Sequence, residues 1–374
     1  MLNTFKIQNF RQFKNLELSQ LRQVNLIVGQ NNVGKSSFLE ALEVYATHGS
    51  PLTLLKLVKN RQEDWLSEAT RLSRGLTHHV VRHLFFNHKI PDLAEAGIIL
   101  GEIDSNHSLH LHLAAYQRQE TEGMSKLVPI NPNQIDEGIP EVELFLVAEQ
   151  ASQTRLLFQL NQDDSMSHTA SRVFYNSKSY NFNLKNQVVS TTHLPTRQLA
   201  ALWDLTSLTD LEADVIETLR LIDDRVSGVA FVEDINRDTT DPENRIPLVK
   251  LRGIAEPLPL KSLGEGMYRL FCITVALVNS EAGLLLIDEF ENGLHWTVQP
   301  KVWQVVFQLA ERLEVQVFAT THSRDCVDGF EQAWSRHPQQ GTFFRLEGHG
   351  TEIKATEYPL ETLSDAIEMD VEIR

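Results

Sequence analysis

A short glycine-containing segment near the amino terminus places the strongest constraint on this chain. Residues Gly29–Ser36 match the pattern G-x-x-x-x-G-K-[ST] in full. The apolar run Val24–Val28 precedes this segment, and apolar residues at helical spacing follow it from Ser37. Glycine lets a backbone wrap closely around phosphates, and the free amides at the start of a helix face an anion. The sequence therefore predicts a strand, a phosphate-binding loop and a helix, in that order.

Two side chains of this loop have specific predicted roles. Lys35 is expected to reach the β- and γ-phosphates of a nucleotide, and the hydroxyl of Ser36 is expected to coordinate Mg²⁺. ATP and Mg²⁺ are thus the expected ligands, although no base-reading motif separates ATP from GTP. The remaining predicted nucleotide contacts of the loop are Gly29, Gln30, Asn31, Asn32, Val33, Gly34 and Ser37.

A second motif pairs an apolar run with two carboxylates. The run Leu284–Ile287 predicts a strand buried on both faces, and Asp288 and Glu289 follow it directly. Two solvated carboxylates at a strand end would be the alternative, which the complete phosphate-binding loop makes the weaker one. We expect Asp288 to hold Mg²⁺, and Glu289 to polarise the attacking water as general base.

Two further segments carry residues suited to a nucleotide. His322 follows the apolar strand Val315–Ala319 and is expected to hydrogen-bond the γ-phosphate, although a lone histidine is more often structural. Ser262–Gly266 leads into a helix and could form another backbone anion site. Since one chain has one γ-phosphate, this second loop, through Ser262, Gly264 and Gly266, is predicted to serve the nucleotide of a second copy. The expected assembly is a head-to-tail dimer with two shared sites.

The rest of the sequence predicts an α/β fold. From Gly266 onward, helices and apolar strands alternate, which favours a sheet with helices on both faces. Ser108–Leu113 and Glu141–Leu146 alternate polar and apolar residues and predict strands. Helical patterns are expected over much of 53–89 and over 197–226, and a loop is expected at 131–140.

Charge and composition limit the kinds of partner that this chain is expected to bind. The net charge is −16, which argues against a general polyanion binder, because nucleic-acid affinity comes mostly from neutralised phosphates. A locally basic stretch at 53–89 could still touch a phosphate backbone, or could be a solvated helix surface, so DNA binding stays open. We find no signal peptide and no apolar run long enough to span a bilayer, and we expect a cytoplasmic protein.

The four elements, in this order, resemble the ABC-type ATPases of the SMC and DNA-repair branch. The opening Ile7–Phe13 looks like the first hairpin of that branch. Ser262–Gly266, Ile287–His295 and Phe318–Ser323 make the OLD-type (overcoming lysogenization defect) ATPases of bacterial defence systems the nearest match. The resemblance implies Mg-dependent ATP hydrolysis in an ATP-induced dimer.

By this resemblance, individual residues acquire family roles. Lys35 and Ser36 correspond to Walker A, Asp288 and Glu289 to Walker B, and His322 to the switch histidine. Glu291–His295 stands where a D-loop would cross the dimer interface. Ser262–Gly266 departs from a literal LSGGQ signature, and no Q-loop glutamine could be assigned.

The resemblance also implies a domain organisation and a partner. We expect one ABC/AAA-type ATPase domain over 1–374, with lobe I over about 1–195, a helical insertion at about 196–228, and lobe II over about 229–374. Related proteins often carry a C-terminal TOPRIM nuclease, and about fifty residues follow His322, so a nuclease effector would be a separate protein.

Two other functions remain as alternatives. A DNA-repair ATPase of the RecF type would have a similar length and no coiled coil, but lacks the Glu-Asn-Gly-Leu-His and Thr-His-Ser elements. Nuclease activity of the chain itself is disfavoured, because the acidic residues beyond Asp288 and Glu289 form no two-metal pattern.

Overall fold

The computed structural model describes most of the chain. The described residues are 1–65, 79–93, 95–121, 124–131, 142–160, 184–192, 194–233, 245–349 and 352–372. Nearly all of the loop expected at 131–140, and residues 66–78 of the basic stretch, lie outside them.

The main sheet holds the phosphate-binding loop. Its strands lie in the order β16-β15-β3-β14-β13-β9, and all neighbours are parallel except the outer pair β15–β16. The bounds are β3 Val24–Gly29, β9 Asn186–Val189, β13 Leu284–Ile287, β14 Gln316–Thr320, β15 Gly341–His349 and β16 Glu352–Tyr358. The predicted α/β fold of a P-loop nucleoside triphosphatase is therefore confirmed, because the loop follows an interior strand of a mostly parallel sheet.

An antiparallel sheet contains the first hairpin. Its order is β2-β1-β4-β5-β7-β8, with β6 paired to β5, and a small third sheet has the order β10-β11-β12. The first sheet consists of β1 Phe5–Phe10, β2 Phe13–Leu18, β4 Ile98–Gly101, β5 Leu109–Thr121, β6 Met124–Ile130, β7 Val142–Gln150 and β8 Gln153–Gln159. The third consists of β10 Val226–Glu233, β11 Arg245–Leu251 and β12 Leu258–Pro259.

Helices cover both faces of the main sheet. Those described are α1 Lys35–Ala46, α2 Pro51–Asn60, α3 Thr196–Thr206, α4 Asp210–Leu219, α5 Glu265–Val278, α6 Gln299–Arg312, α7 Arg324–Trp334 and α8 Leu360–Glu368. Within the described residues, the helical expectation for 53–89 holds as far as Asn60, whereas 80–84 and 86–88 are short 3₁₀ turns, and Asn87 has a left-handed φ of 57°. No described helix is both long and apolar enough to cross a membrane.

Strand β13 shows how the two cores form. Leu285 and Ile287 pack into a core with α3 to α7, whereas Leu284 and Leu286 pack into a core with α1, α2 and the antiparallel sheet. Successive side chains of a strand point to opposite faces, so an uninterrupted apolar run fills both cores at once. The helical block expected at 197–226 corresponds to α3 and α4.

The main sheet draws on both predicted lobes. β3 and β9 come from the range predicted as lobe I, yet they pair with β13, β14 and β15 from the range predicted as lobe II. This arrangement brings the phosphate-binding loop beside the carboxylates that follow β13. The division into lobes at the stated boundaries stays a prediction.

Candidate nucleotide-binding site

The loop between β3 and α1 has glycines where other residues would not fit. Gly34 has a φ of 99°, in the left-handed region, and a Cβ there would lie 2.7 Å from the Phe13 ring. Gly29 lies so close to β15 that a Cβ would be 2.6 Å from the carbonyl oxygen of Leu346. The loop is thus pressed between the first hairpin and β15, and the predicted order of strand, loop and helix is confirmed.

Lys35 lies inside the loop. Its ammonium donates to the carbonyl oxygens of Gly29 at 2.7 Å and Gln30 at 3.0 Å. Burial lowers the pKa of Lys35, while the nearby carboxylates of Asp288, Glu289 and Glu291 act in the opposite direction. The amine of Lys35 therefore lies inside the loop and close to three carboxylates.

Ser36 and Asp288 meet directly. The Ser36 hydroxyl donates to Oδ2 of Asp288 at 2.9 Å, and the Thr320 hydroxyl donates to Oδ1 at 2.6 Å. Among the described residues, no Lys or Arg forms an ion pair with Asp288 at 4.0 Å or less, and no three or more His, Cys, Asp or Glu side chains form a metal cluster. A hydroxyl beside an unpaired carboxylate fits Mg²⁺, which takes oxygen ligands and completes its shell with phosphates and water.

Glu289 is held in an unusual backbone conformation. Its φ is 50°, which costs a residue other than glycine on the order of 1–3 kcal/mol. Its amide donates to the Thr320 hydroxyl at 3.0 Å, and its side chain is 39% exposed. The carboxylate thus stays accessible at the cleft while the backbone beneath it is fixed by β14.

His322 and Glu291 form a pair beside Glu289. Nδ1 of His322 lies 3.1 Å from Oε1 of Glu291 and 3.8 Å from Oε1 of Glu289. The His322 amide also donates to Glu291 at 3.1 Å. Glu291 therefore orients both the ring and the backbone of His322, a contact that the sequence motif did not reveal.

These elements border a cleft of about 830 Å³. Of the predicted residues, it is lined by Asn31, Asn32, Gly34, Lys35, Ser36, Ser37, Asp288 and Glu289. The carbonyl oxygens of Gly29 and Gln30 accept hydrogen bonds from Lys35, and Val33 is buried beside Gly29. His322 lies outside this lining but contacts Glu289 at its edge.

The loop Ser262–Gly266 does not line the cleft. Ser262 donates to the carbonyl of Pro259 at 2.6 Å, and Gly264 has a φ of 97°. A Cβ at Gly266 would lie 2.7 Å from the carbonyl oxygen of Gly293, so the loop packs closely against the segment that follows Glu289. Ser262, Gly264 and Gly266 are thus not brought to the phosphate-binding loop of their own chain.

Several residues that line the cleft were not identified from the sequence. Gln12 of the first hairpin donates to Asn32 of the loop at 3.2 Å. Arg61 donates to the Ser37 hydroxyl at 3.0 Å and pairs with both oxygens of Glu40. Arg61 belongs to the basic stretch, which was interpreted as a nucleic-acid surface or a solvated helix surface. Its acidic partner lies 21 residues earlier on α1, so no local pattern could identify the contact.

Arg269 is another such residue, beneath the carboxylates rather than in the cleft. It is fully buried on α5 and donates to the carbonyl oxygens of Ser190, Asp288 and Glu289. The sequence analysis predicted no role for Arg269, because it is a charged residue within a mostly apolar helix.

Two family models match parts of the chain. Residues 167–325 match the family described as "AAA domain, putative AbiEii toxin, Type IV TA system". Residues 1–74 match the family described as "AAA ATPase domain". The first match includes Ser262–Gly266, Asp288, Glu289 and His322, and the second includes Gly29–Ser36. Both matches support an AAA type of ATPase domain.

Similar proteins were found among curated sequences and solved structures. An ATP/GTP phosphatase of Helicobacter pylori is 24% identical over 360 residues, covering 89% of this chain and 88% of that protein. The uncharacterized protein MJECL10 of Methanocaldococcus jannaschii is 49% identical over 45 residues, which are 12% of this chain and 20% of that one.

Smc head domains are among the solved structures that this chain is similar to. One is bound to the C-winged helix domain of ScpA (TM-score 0.47, 13% identity, 97% of this chain and 99% of that chain). Another, of Pyrococcus furiosus, has a TM-score of 0.46 and 10% identity, covering 99% of each chain.

Proposed function

We propose that this ATPase, which is similar to AAA-type ATPase domains, hydrolyses ATP with Mg²⁺ in the cleft beside Gly29–Ser36. The observation that carries the proposal is the direct contact between Ser36 and Asp288. It joins the phosphate-binding loop to the carboxylate that follows β13, and so supports one magnesium site between them.

The residues around this contact divide the chemistry. Lys35 neutralises the β- and γ-phosphates, and Ser36 and Asp288 would hold Mg²⁺, which would supply charge stabilisation at the phosphate oxygens. Glu289, accessible at the cleft edge, takes the proton of the attacking water as general base. His322, oriented by Glu291, hydrogen-bonds the γ-phosphate. The remaining loop residues, from Gly29 to Ser37, surround the phosphates.

The active form is a dimer with shared sites. Ser262–Gly266 lies outside the cleft of its own chain, yet it presents a Gly-rich turn at the start of α5. Helix starts favour anions, so this loop contacts the nucleotide of the second copy through Ser262, Gly264 and Gly266. ATP binding thus brings two copies together, and hydrolysis separates them.

The biological setting is bacterial anti-phage defence. The OLD-type motifs favour an ATP-driven switch in the cytoplasm that controls a separately encoded effector, such as a TOPRIM nuclease. The description of the family that matches 167–325 names a toxin and a type IV TA system, which agrees with a defence role. A DNA-repair ATPase that binds DNA is the alternative, and a DNA-binding assay with and without ATP separates the two.

The decisive experiment measures the mass of the Glu289→Gln protein in solution. We expect a monomer without nucleotide and a dimer with ATP and Mg²⁺, because this variant binds ATP but hydrolyses it slowly. Lys35→Ala, which binds ATP poorly, is the control and should stay monomeric. A mass that is the same with and without ATP would contradict the shared-site dimer. GTP belongs in the same series, because the Helicobacter pylori relative is named an ATP/GTP phosphatase.

A further inference from the structure

Arg269 is a fully buried arginine whose resolved hydrogen bonds go to backbone carbonyls. One terminal nitrogen of its guanidinium donates to the carbonyl oxygens of Asp288 at 2.7 Å and Glu289 at 2.9 Å. The other terminal nitrogen donates to the carbonyl oxygen of Ser190. Ser190 follows β9 and Asp288 follows β13, and these strands are parallel neighbours. A single side chain therefore ties together the carboxyl ends of two strands beneath the cleft.

Burial of this charge is not explained by packing alone. Burial lowers the pKa of Arg269, and among the described residues no carboxylate lies within ion-pair distance of it. Its neighbours on α5 are apolar and equally buried, so an apolar side chain would fit this environment at lower cost in desolvation. The two terminal nitrogens of its planar fork serve the three carbonyl oxygens, and its buried Nε has no hydrogen-bond partner among the described residues.

The hydrogen bond from Arg269 to the carbonyl oxygen of Glu289 holds a residue with a strained backbone. Glu289 has a φ of 50°, and its amide is held by the Thr320 hydroxyl while its carbonyl is held by Arg269. The two partners come from different elements, β14 and α5. Strained conformations persist only where the surroundings hold them, and here both ends of the residue are held.

We propose that Arg269 is a positioning residue for hydrolysis, which fixes the backbone of Asp288 and Glu289 so that the Glu289 carboxylate aims at the attacking water. This rests on the proposed role of Glu289 as general base. Arg269 itself is fully buried beneath the carboxylates and does not line the cleft. We expect its loss to leave the phosphate-binding loop intact, because Lys35 is held by the carbonyl oxygens of Gly29 and Gln30.

The test compares Arg269→Lys and Arg269→Gln, each alone and combined with Glu289→Gln. Lysine keeps the charge but lacks the fork, and glutamine loses both. For the single variants we expect kcat to fall by about 10²-fold, as misplacement by about 1 Å does in enzymes. The affinity of each variant for a non-hydrolysable ATP analogue should stay within about threefold of that of the unchanged chain. Arg269→Lys should retain more activity than Arg269→Gln. Arg220→Lys is the matched control, since Arg220 donates to the Val226 carbonyl away from the cleft.

The combined variants decide how Arg269 acts. If it works through Glu289, a change at Arg269 will alter the residual kcat of Glu289→Gln by less than about twofold, because residues that act as a unit are not additive. An equal fold-loss in both backgrounds would overturn the proposal, and so would loss of analogue binding in both Arg269 variants, which would assign Arg269 to stability. Full turnover by Glu289→Gln alone would instead refute the general base and thus the proposed function.

Discussion

The Ser36 hydroxyl donates a hydrogen bond to Oδ2 of Asp288 over 2.9 Å, although 252 positions separate the two residues in the sequence. The contact forms because β3 and β13 both flank β14 in the main sheet, and the two segments leave its carboxyl edge side by side. A hydroxyl and a carboxylate so placed can share one hard cation.

Asp288→Asn should abolish most hydrolysis. Asparagine keeps one acceptor oxygen for Ser36 or Thr320 and replaces the other oxygen with an NH₂ donor, and it loses the charge that attracts Mg²⁺. We expect kcat to fall by about 10²-fold or more, because metal stabilisation of the transition state is worth several kcal/mol. The rate should be measured as a function of Mg²⁺ concentration. Asp214→Asn, which removes a carboxylate paired with Arg312, is the control. An unchanged Mg²⁺ dependence would remove Asp288 from the metal site.

Lys35→Ala should weaken nucleotide binding itself. The lost contacts are charge-assisted hydrogen bonds to phosphate, each worth about 1.5–3 kcal/mol, so the Kd for ATP should rise about 10- to 100-fold. Lys56→Ala provides the matched control, because Lys56 lines the same cleft but pairs with Glu43 at 2.8 Å. Titration calorimetry on both variants measures the difference, and equal losses would show that Lys35 has no special contact.

Added salt should favour the ATP-bound dimer. Each chain carries a net charge of −16, so two copies repel, and salt screens that repulsion over about 10 Å at 0.1 M. Sedimentation of Glu289→Gln with ATP at rising salt measures the effect. DNA binding, if it occurs, should weaken over the same range. A dimer that dissociates steadily as salt rises would contradict this electrostatic account of the shared sites.

Stability should fall as the pH drops below 6.5, partly through His79. Its ring accepts a hydrogen bond from the Val81 amide, and burial lowers the pKa of His79 to about 4. The unfolded chain binds this proton near pH 6.5, whereas the folded chain binds it only near pH 4. The free energy of unfolding should therefore decline across that window, by up to about 1.4 kcal/mol per pH unit from this group.

His79→Asn is the variant for that measurement. Asparagine can also accept the Val81 amide, but it does not titrate. Denaturant unfolding at pH 7, 6 and 5 should show a smaller loss of stability in this variant than in the unchanged chain. Parallel pH curves for the two proteins would show that His79 does not contribute.

The sequence by itself determined the segments that act locally. Gly29–Ser36 specifies its loop through two glycines and the start of a helix, and Leu284–Ile287 specifies a strand that ends at Asp288 and Glu289. These features depend on backbone preferences and side-chain periodicity within a few residues, so they can be read along the chain. The α/β fold followed from the same local patterns.

Only the tertiary structure decided how these segments combine. It placed Asp288 between Ser36 and Thr320, set Arg269 beneath Glu289, and put Ser262–Gly266 outside the cleft. Each contact joins residues from different elements, and Arg269 looks like a polar interruption of an apolar helix until its carbonyl partners are seen. Such pairings depend on how strands order in a sheet and how helices pack against it, which are long-range properties that no short pattern encodes.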